Sequence, residues 1–235
     1  MDIAAVQLSA AIVTTVSSYF KLPTSTIQIY TFSLLGFALV GGLPIHGVGF
    51  GLVILFWAVG PLLAFIIGFI LAKIGLGYIK ESVLIWFVIV VSIYSSFTLG
   101  SNDVSNAASS LVAMKLMPAR MAGLYGGFFM LIGILTWGQR LLKRIGQDIL
   151  KLDVPLAATA QLSQAITLSI INTVGYNASI NQTIVGGLIG SGLAADRNKL
   201  NWNVIRNILM NWIWSPVLSL SSSVLITIIL KAIFD

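Results

Sequence analysis

The sequence predicts an all-α, polytopic integral membrane protein built from two homologous repeats, on three observations. First, hydrophobic residues make up 57% of the chain and charged residues 9%, with mean hydropathy +0.99. Such a chain has too few polar groups to cover a water-soluble globule. Second, the apolar runs Ile3 to Phe20, Val48 to Ala72, Ser82 to Leu99, Met121 to Gly138, Ala157 to Val174 and Val204 to Ile233 approach or exceed the roughly 20 residues that cross about 30 Å of hydrocarbon, and suggest about seven to nine helical segments. Third, Gln7-Leu8-Ser9-Ala10-Ala11-Ile12 recurs as Gln161-Leu162-Ser163-Gln164-Ala165-Ile166, and Ser25 and Gln28 recur at the same offset as Ser179 and Gln182. Trp57 to Pro61 recurs as Trp212 to Pro216, one residue further on. Self-similarity at a fixed offset marks repeated structural units.

In chain order, the first repeat occupies residues 1–80. Its opening helix stops at Lys21-Leu22-Pro23, where proline lacks a donor and disfavours helix at the preceding residue. The hydroxyls of Thr24, Ser25 and Thr26 then stand at the restart, and such residues cap helix N-termini. Two apolar segments so closely joined form either a surface hairpin or a re-entrant pair; retention of Ser and Gln in both copies favours a lined cavity. The second repeat, 81–235, begins with a helix expected to break at Gly100, followed by a short polar helix ending before Pro118. The partner of the polar segment Gly100 to Ala107 would fall about fifty residues before Met1, so the first repeat is expected to be incomplete at its N-terminus. Gly186 and Gly190 give small residues four apart, a spacing for helix packing.

The net charge of +6 comes from Lys and Arg placed singly at the ends of apolar runs. This fits positive-inside topology rather than nucleic-acid binding, with Arg140, Lys143, Arg144 and Lys151 suggesting a cytoplasmic loop despite Asp148 and Asp153. The absence of cysteine removes disulfides and thiolate metal sites. One loop histidine, His46, and no pair of membrane acids leave nothing for acid–base catalysis, so no enzyme is expected. Trp57 with Pro61 and Trp212 with Pro216 read as kinks or interfacial anchors.

Asp103 is the only acidic residue flanked on both sides by predicted membrane helix. An isolated carboxylate there costs several kcal/mol unless paired, protonated or bound to a cation. With the amide oxygens of Asn102 and Asn106 it forms a set of one charge and neutral oxygens, suited to Na⁺ or a proton rather than a transition metal. The plainer reading, a helix cap, leaves Asn106 unexplained. Ser25 and Thr26, with Ser179 and Asn181 in the second copy, place hydroxyl, amide and backbone donors at helix starts, where anions bind. Gln28 and Gln182 are candidates to orient either ion, or to bond helix to helix.

These residues resemble the inorganic phosphate transporter family, the Na⁺- or H⁺-coupled permeases of two inverted repeats. Its signature Gly-Ala-Asn-Asp-Val-Ala-Asn-Ala is matched by Gly100 through Ala107, with Ser101 and Ser105 replacing alanines. Its second motif, Pro-Val-Ser-Thr-Thr-His/Gln, is matched by Pro23 to Gln28 and, less closely, by Asn177 to Gln182. The resemblance implies a multi-pass protein of the cell membrane, without organic cofactor, that carries phosphate with Na⁺ or H⁺ by alternating access. Ser25, Thr26, Ser179 and Asn181 would line the anion site; Asn102, Asp103 and Asn106, joined by Gln28 and Gln182, would hold the cation. Ile27 and Ile180 replace expected hydroxyls, which makes sulfate the alternative oxyanion. A homo-oligomer or a partner chain supplying the missing first signature, around a subunit that does not transport alone, is the alternative of a different class.

Overall fold

The computed structural model describes residues 2–19, 24–75, 80–113, 115–138, 154–196 and 200–234. Lys21 to Pro23, and the loop carrying Arg140, Lys143, Arg144, Asp148, Lys151 and Asp153, lie outside the described residues. Among those described, eight α-helices follow one another: α1 (Asp2–Tyr19), α2 (Thr26–Gly41), α3 (Gly47–Lys73), α4 (Glu81–Ala113), α5 (Ala119–Gly133, continued by a π-helical turn Ile134–Gly138), α6 (Val154–Thr173), α7 (Ile180–Ala195) and α8 (Trp202–Phe234). Five stretches are long and apolar enough to cross a bilayer: Gly47–Lys73, Val83–Ser109, Ala119–Thr136, Val154–Thr173 and Trp202–Ile233. By contrast α2 and α7 have 16 residues each, about 24 Å at 1.5 Å per residue, short of the roughly 30 Å hydrocarbon thickness.

Two compact units emerge, one of Met1–Leu52 with Trp202–Asp235, the other of Val53–Asn201. Each therefore draws helices from both halves of the sequence. In the first, α1, α2 and α8 pack pairwise. Lipid tails are as apolar as leucine, so hydrophobic burial does little to hold membrane helices together, and close packing and buried hydroxyls take over. Ser33 Oγ lies 2.7 Å from Ser219 Oγ and 3.4 Å from Ser9 Oγ. Ser219 donates to the Ile29 carbonyl, and Ser223 donates to the Ser33 carbonyl at 2.6 Å. Helix α2 closes with Gly42 at φ 63°, where Gly42 and Leu43 N–H groups return to the Leu39 and Ala38 carbonyls, the left-handed stop that glycine permits without strain.

In the second unit α7 is buried on most of its surface. A Cβ added at Gly186 would lie 2.2 Å from the Pro61 carbonyl oxygen of α3, and at Gly190 2.1 Å from that of Phe65. One residue round the helix, a Cβ at Gly187 would meet Ser163 Oγ of α6 at 2.2 Å. The expected glycine packing face is thus present, with a second glycine face beside it.

The same contacts recur at the repeat offset. Gly36 of α2 approaches the Leu220 carbonyl of α8 as Gly190 of α7 approaches that of Phe65 of α3. Ser223 bonds the Ser33 carbonyl, while Gly68 abuts that of its counterpart, Gly187. One copy is held by hydroxyls where the other uses bare backbone approach. We predict that Ser219→Ala, which installs the residue found at the equivalent Ala64, lowers stability by about 1 kcal/mol, the typical worth of an interhelical membrane hydrogen bond. Thermal unfolding of the detergent-solubilised protein measures it.

Two local expectations are corrected. Helix α4 runs unbroken through Gly100. A mid-helix glycine costs only about 1 kcal/mol, and the hydroxyls of Thr98, Ser101, Ser105 and Ser109 each bond back to a carbonyl three residues earlier, so these four hydroxyls are satisfied along the helix. Trp57 is 5% exposed and packs inside the protein rather than at an interface, whereas Trp212 is half-buried. Helices α3 and α8 continue through Pro61 and Pro216. His46 is an exposed loop residue, as expected.

Candidate functional site

The polar face of α4 packs against the short connection between α6 and α7. That connection, Val174 to Ser179, turns at Gly175, which has φ 86°, and ends at Ser179, the N-cap of α7. Its apolar side is fixed by burial: Ala178 joins Leu168 and Ile171 in the core, with Phe56, Leu99, Tyr176 and Ile180 packed around them. Tyr176 stacks on Phe56 at 4.4 Å between ring centroids.

Its polar side is met by α4. Asn102 Nδ2 donates to the Ala178 carbonyl at 3.1 Å and to Asp103 Oδ1 at 3.2 Å. Asn177 Nδ2 donates to Asn106 Oδ1, and Asn172 Nδ2 reaches Ser101 Oγ at 3.4 Å. From α6, Gln164 Nε2 donates to the Ile180 carbonyl at 2.9 Å. Asn102, Asp103, Asn106, Ser179 and Gln182 therefore belong to one neighbourhood of the second unit. Among the described residues Asp103 pairs with Asn102 and with no basic side chain.

Ser179 has extended backbone (φ −76°, ψ 115°), and its hydroxyl oxygen accepts from the Gln182 N–H at 3.4 Å. An oxygen that accepts keeps its own proton to donate, so capping does not use up the Ser179 hydroxyl proton. Ser25 builds the same start for α2 in the first unit (φ −91°, ψ 108°), accepting from the Gln28 N–H at 3.3 Å. Both serines are buried, Asn181 is half-buried and Thr26 is exposed.

Among the described residues, four buried carbonyl oxygens at these places have no hydrogen-bond partner: Asn102 Oδ1, Asn172 Oδ1, Gln182 Oε1 and Gln28 Oε1. A buried acceptor left unsatisfied costs about 1–3 kcal/mol, so such groups call for a ligand that meets them. A carboxylate with neutral carbonyl oxygens is chemically suited to Na⁺. Asn106 differs, because its carbonyl oxygen is engaged by Asn177.

Two members of the neighbourhood stand inside the repeated motifs with no role that the motifs assign. Gln164 stands where the first copy has Ala10, and Asn177 where it has Pro23. The difference between copies at otherwise repeated positions was the available signal.

The sequence model of the Phosphate transporter family matches residues 77–223. A protein of Methanocaldococcus jannaschii named as a phosphate permease is 29% identical over 216 residues, 90% of this chain and 70% of the relative. Sodium-dependent phosphate transporter 2 of Bos taurus is 29% identical over 157 residues, and sodium-dependent phosphate transporter 1 of Mus musculus 30% over 134 residues, covering 62% and 53% of this chain. The chain spans 24% and 20% of the length of those two mammalian relatives. A solved structure titled the sodium-dependent phosphate transporter superposes with TM-score 0.82 at 20% identity, covering 98% of this chain and 79% of that one, which shows the shared fold. With more than half its length matched by the family's sequence model and five helices able to cross a bilayer, this multi-pass membrane protein belongs to the phosphate transporter family, a family of carriers rather than enzymes.

Proposed function

We propose that this chain carries inorganic phosphate across the cell membrane together with Na⁺, by alternating access between repeats at 1–80 and 81–235. The observation that carries this reading is the junction of α4 and α7, where the Asn102-Asp103 segment bonds the backbone directly before the Ser179 cap. A cation held at Asp103, Asn102 and Asn106 would then neighbour an anion held by the Ser179 hydroxyl, Asn181 and the positive end of the α7 dipole. Ser25 and Thr26 offer the equivalent start in the first unit. Co-bound cations supply the charge that balances a multivalent anion in hydrocarbon.

Gln28 and Gln182 support phosphate over sulfate. Their buried, unpartnered carbonyl oxygens can accept from the hydroxyl of hydrogenphosphate or coordinate Na⁺, whereas sulfate has no proton to give. Na⁺ rather than H⁺ is supported by the names of the mammalian relatives and by the oxygen-only ligand set.

Ser25→Ala and Ser179→Ala should each raise the half-saturating phosphate concentration roughly tenfold, the worth of a hydrogen bond to a charged ligand. Ser179→Gly separates binding from capping. Glycine replaces a serine cap at a cost of only a few tenths of a kcal/mol, so a purely structural Ser179 tolerates Gly better than Ala. An anion-binding Ser179 makes Gly as damaging as Ala, because both remove the hydroxyl. Uptake kinetics in proteoliposomes decide between these outcomes.

A further inference from the structure

Asn177 has a part that neither the helix-start motif nor the cation set assigns. The first copy has Pro23 at this position, and proline has no amide to donate. In the second copy the side chain bridges to Asn106 of α4. Asn102 and Asn106 are four residues apart and so share one face of α4. Both secure the connection, Asn102 through the Ala178 carbonyl and Asn106 through the Asn177 amide. Asn102 also donates to Asp103. The two residues preceding the Ser179 cap are thus tied by side-chain amides to the segment that carries the carboxylate. The segment has little slack elsewhere, since Ala178 is fully buried and Tyr176 is stacked on Phe56.

We propose that Asn177 is a positioning residue that couples cation binding at Asp103 to phosphate affinity at Ser179, an inference that rests on the phosphate–Na⁺ reading above. A cation taken up by the Asp103 carboxylate and the free carbonyl oxygen of Asn102 fixes the orientation of the Asn102 carboxamide, and with it the bond to Ala178. The Asn106–Asn177 bond, one turn along α4, makes the connection move as one piece with the helix rather than pivot at Ala178. The cation thereby sets the direction of the Ser179 hydroxyl and of the start of α7. Coupling of this kind is reciprocal: phosphate must tighten Na⁺ by the same factor.

The test measures the phosphate dissociation constant of the purified full chain in detergent, without Na⁺ and at saturating Na⁺. In the wild type, Na⁺ should tighten phosphate by a factor within the usual roughly 5- to 150-fold range of allosteric coupling. In Asn177→Ala, and in Asn177→Pro, which installs the residue of the first copy, that factor should fall to about twofold or less, with phosphate affinity in the absence of Na⁺ little changed. Hydrogen exchange on the wild type provides a readout that needs no variant: Na⁺ alone should slow exchange of the Asn177 to Ile180 backbone amides. A wild-type Na⁺ factor that persists in Asn177→Ala, or exchange in this segment indifferent to Na⁺, overturns the coupling role alone. A wild type whose phosphate affinity ignores Na⁺ overturns the functional reading, and the coupling with it.

Discussion

Asp103→Asn is expected to abolish Na⁺-driven phosphate uptake while leaving the protein folded. Asparagine keeps the shape of the side chain and can still pair with Asn102, so the α4 helix loses no packing. It loses the one formal negative charge of the membrane-spanning stretch Val83–Ser109, otherwise built from apolar residues, hydroxyls and amides. Neutral carbonyl oxygens alone hold a monovalent ion weakly. Losing a charged partner costs up to about 3 kcal/mol, so uptake at a given Na⁺ concentration should fall roughly 100-fold or more. The loss should be steepest at low Na⁺. Monodisperse elution and an unchanged melting profile must accompany it, and wild-type uptake in the variant would remove Asp103 from the cation site.

Gly190→Ala is the second large effect, acting on the scaffold. The added methyl would lie 2.1 Å from a backbone oxygen of Phe65, well inside contact distance, and the obstacle is main chain that cannot rotate away. Relief requires α3 and α7 to separate along their shared face, where Gly186 is as tightly placed against Pro61. Overpacking of this kind costs typically 1–3 kcal/mol and more when backbone must move, so a loss of about 3 kcal/mol or more is expected. Gly36→Ala, whose methyl would meet the Leu220 carbonyl at 2.7 Å, should be milder. Gly123→Ala in α5 has open space around it and should be neutral or stabilising by up to about 1 kcal/mol. Thermal unfolding of the three variants gives the order; equal effects would show that the glycines do not set the helix spacing.

The local features of the site were legible in the sequence because they obey local rules. Ser25 and Ser179 cap helices where hydroxyls beside an apolar run predict caps, and the Asn102-Asp103 segment stands out by polarity alone. The continuity of α4 was not legible, since the glycine and polar residues that suggest a break are outweighed by hydroxyls bonding within the same helix. Nor was the pairing of α2 with α8 and of α7 with α3, because periodicity identifies a packing face without naming its partner. Asn177 and Gln164 were hidden for a related reason: a motif shared by two copies draws attention to what is retained, and these two residues act through what differs.

The most direct test of the account is uptake of radiolabelled phosphate into proteoliposomes containing only this chain, under an inward Na⁺ gradient and under a matched K⁺ gradient. The account predicts accumulation under Na⁺ alone, blocked by unlabelled phosphate and barely affected by equal sulfate. Equal uptake under K⁺, or block by sulfate as strong as by phosphate, would contradict it.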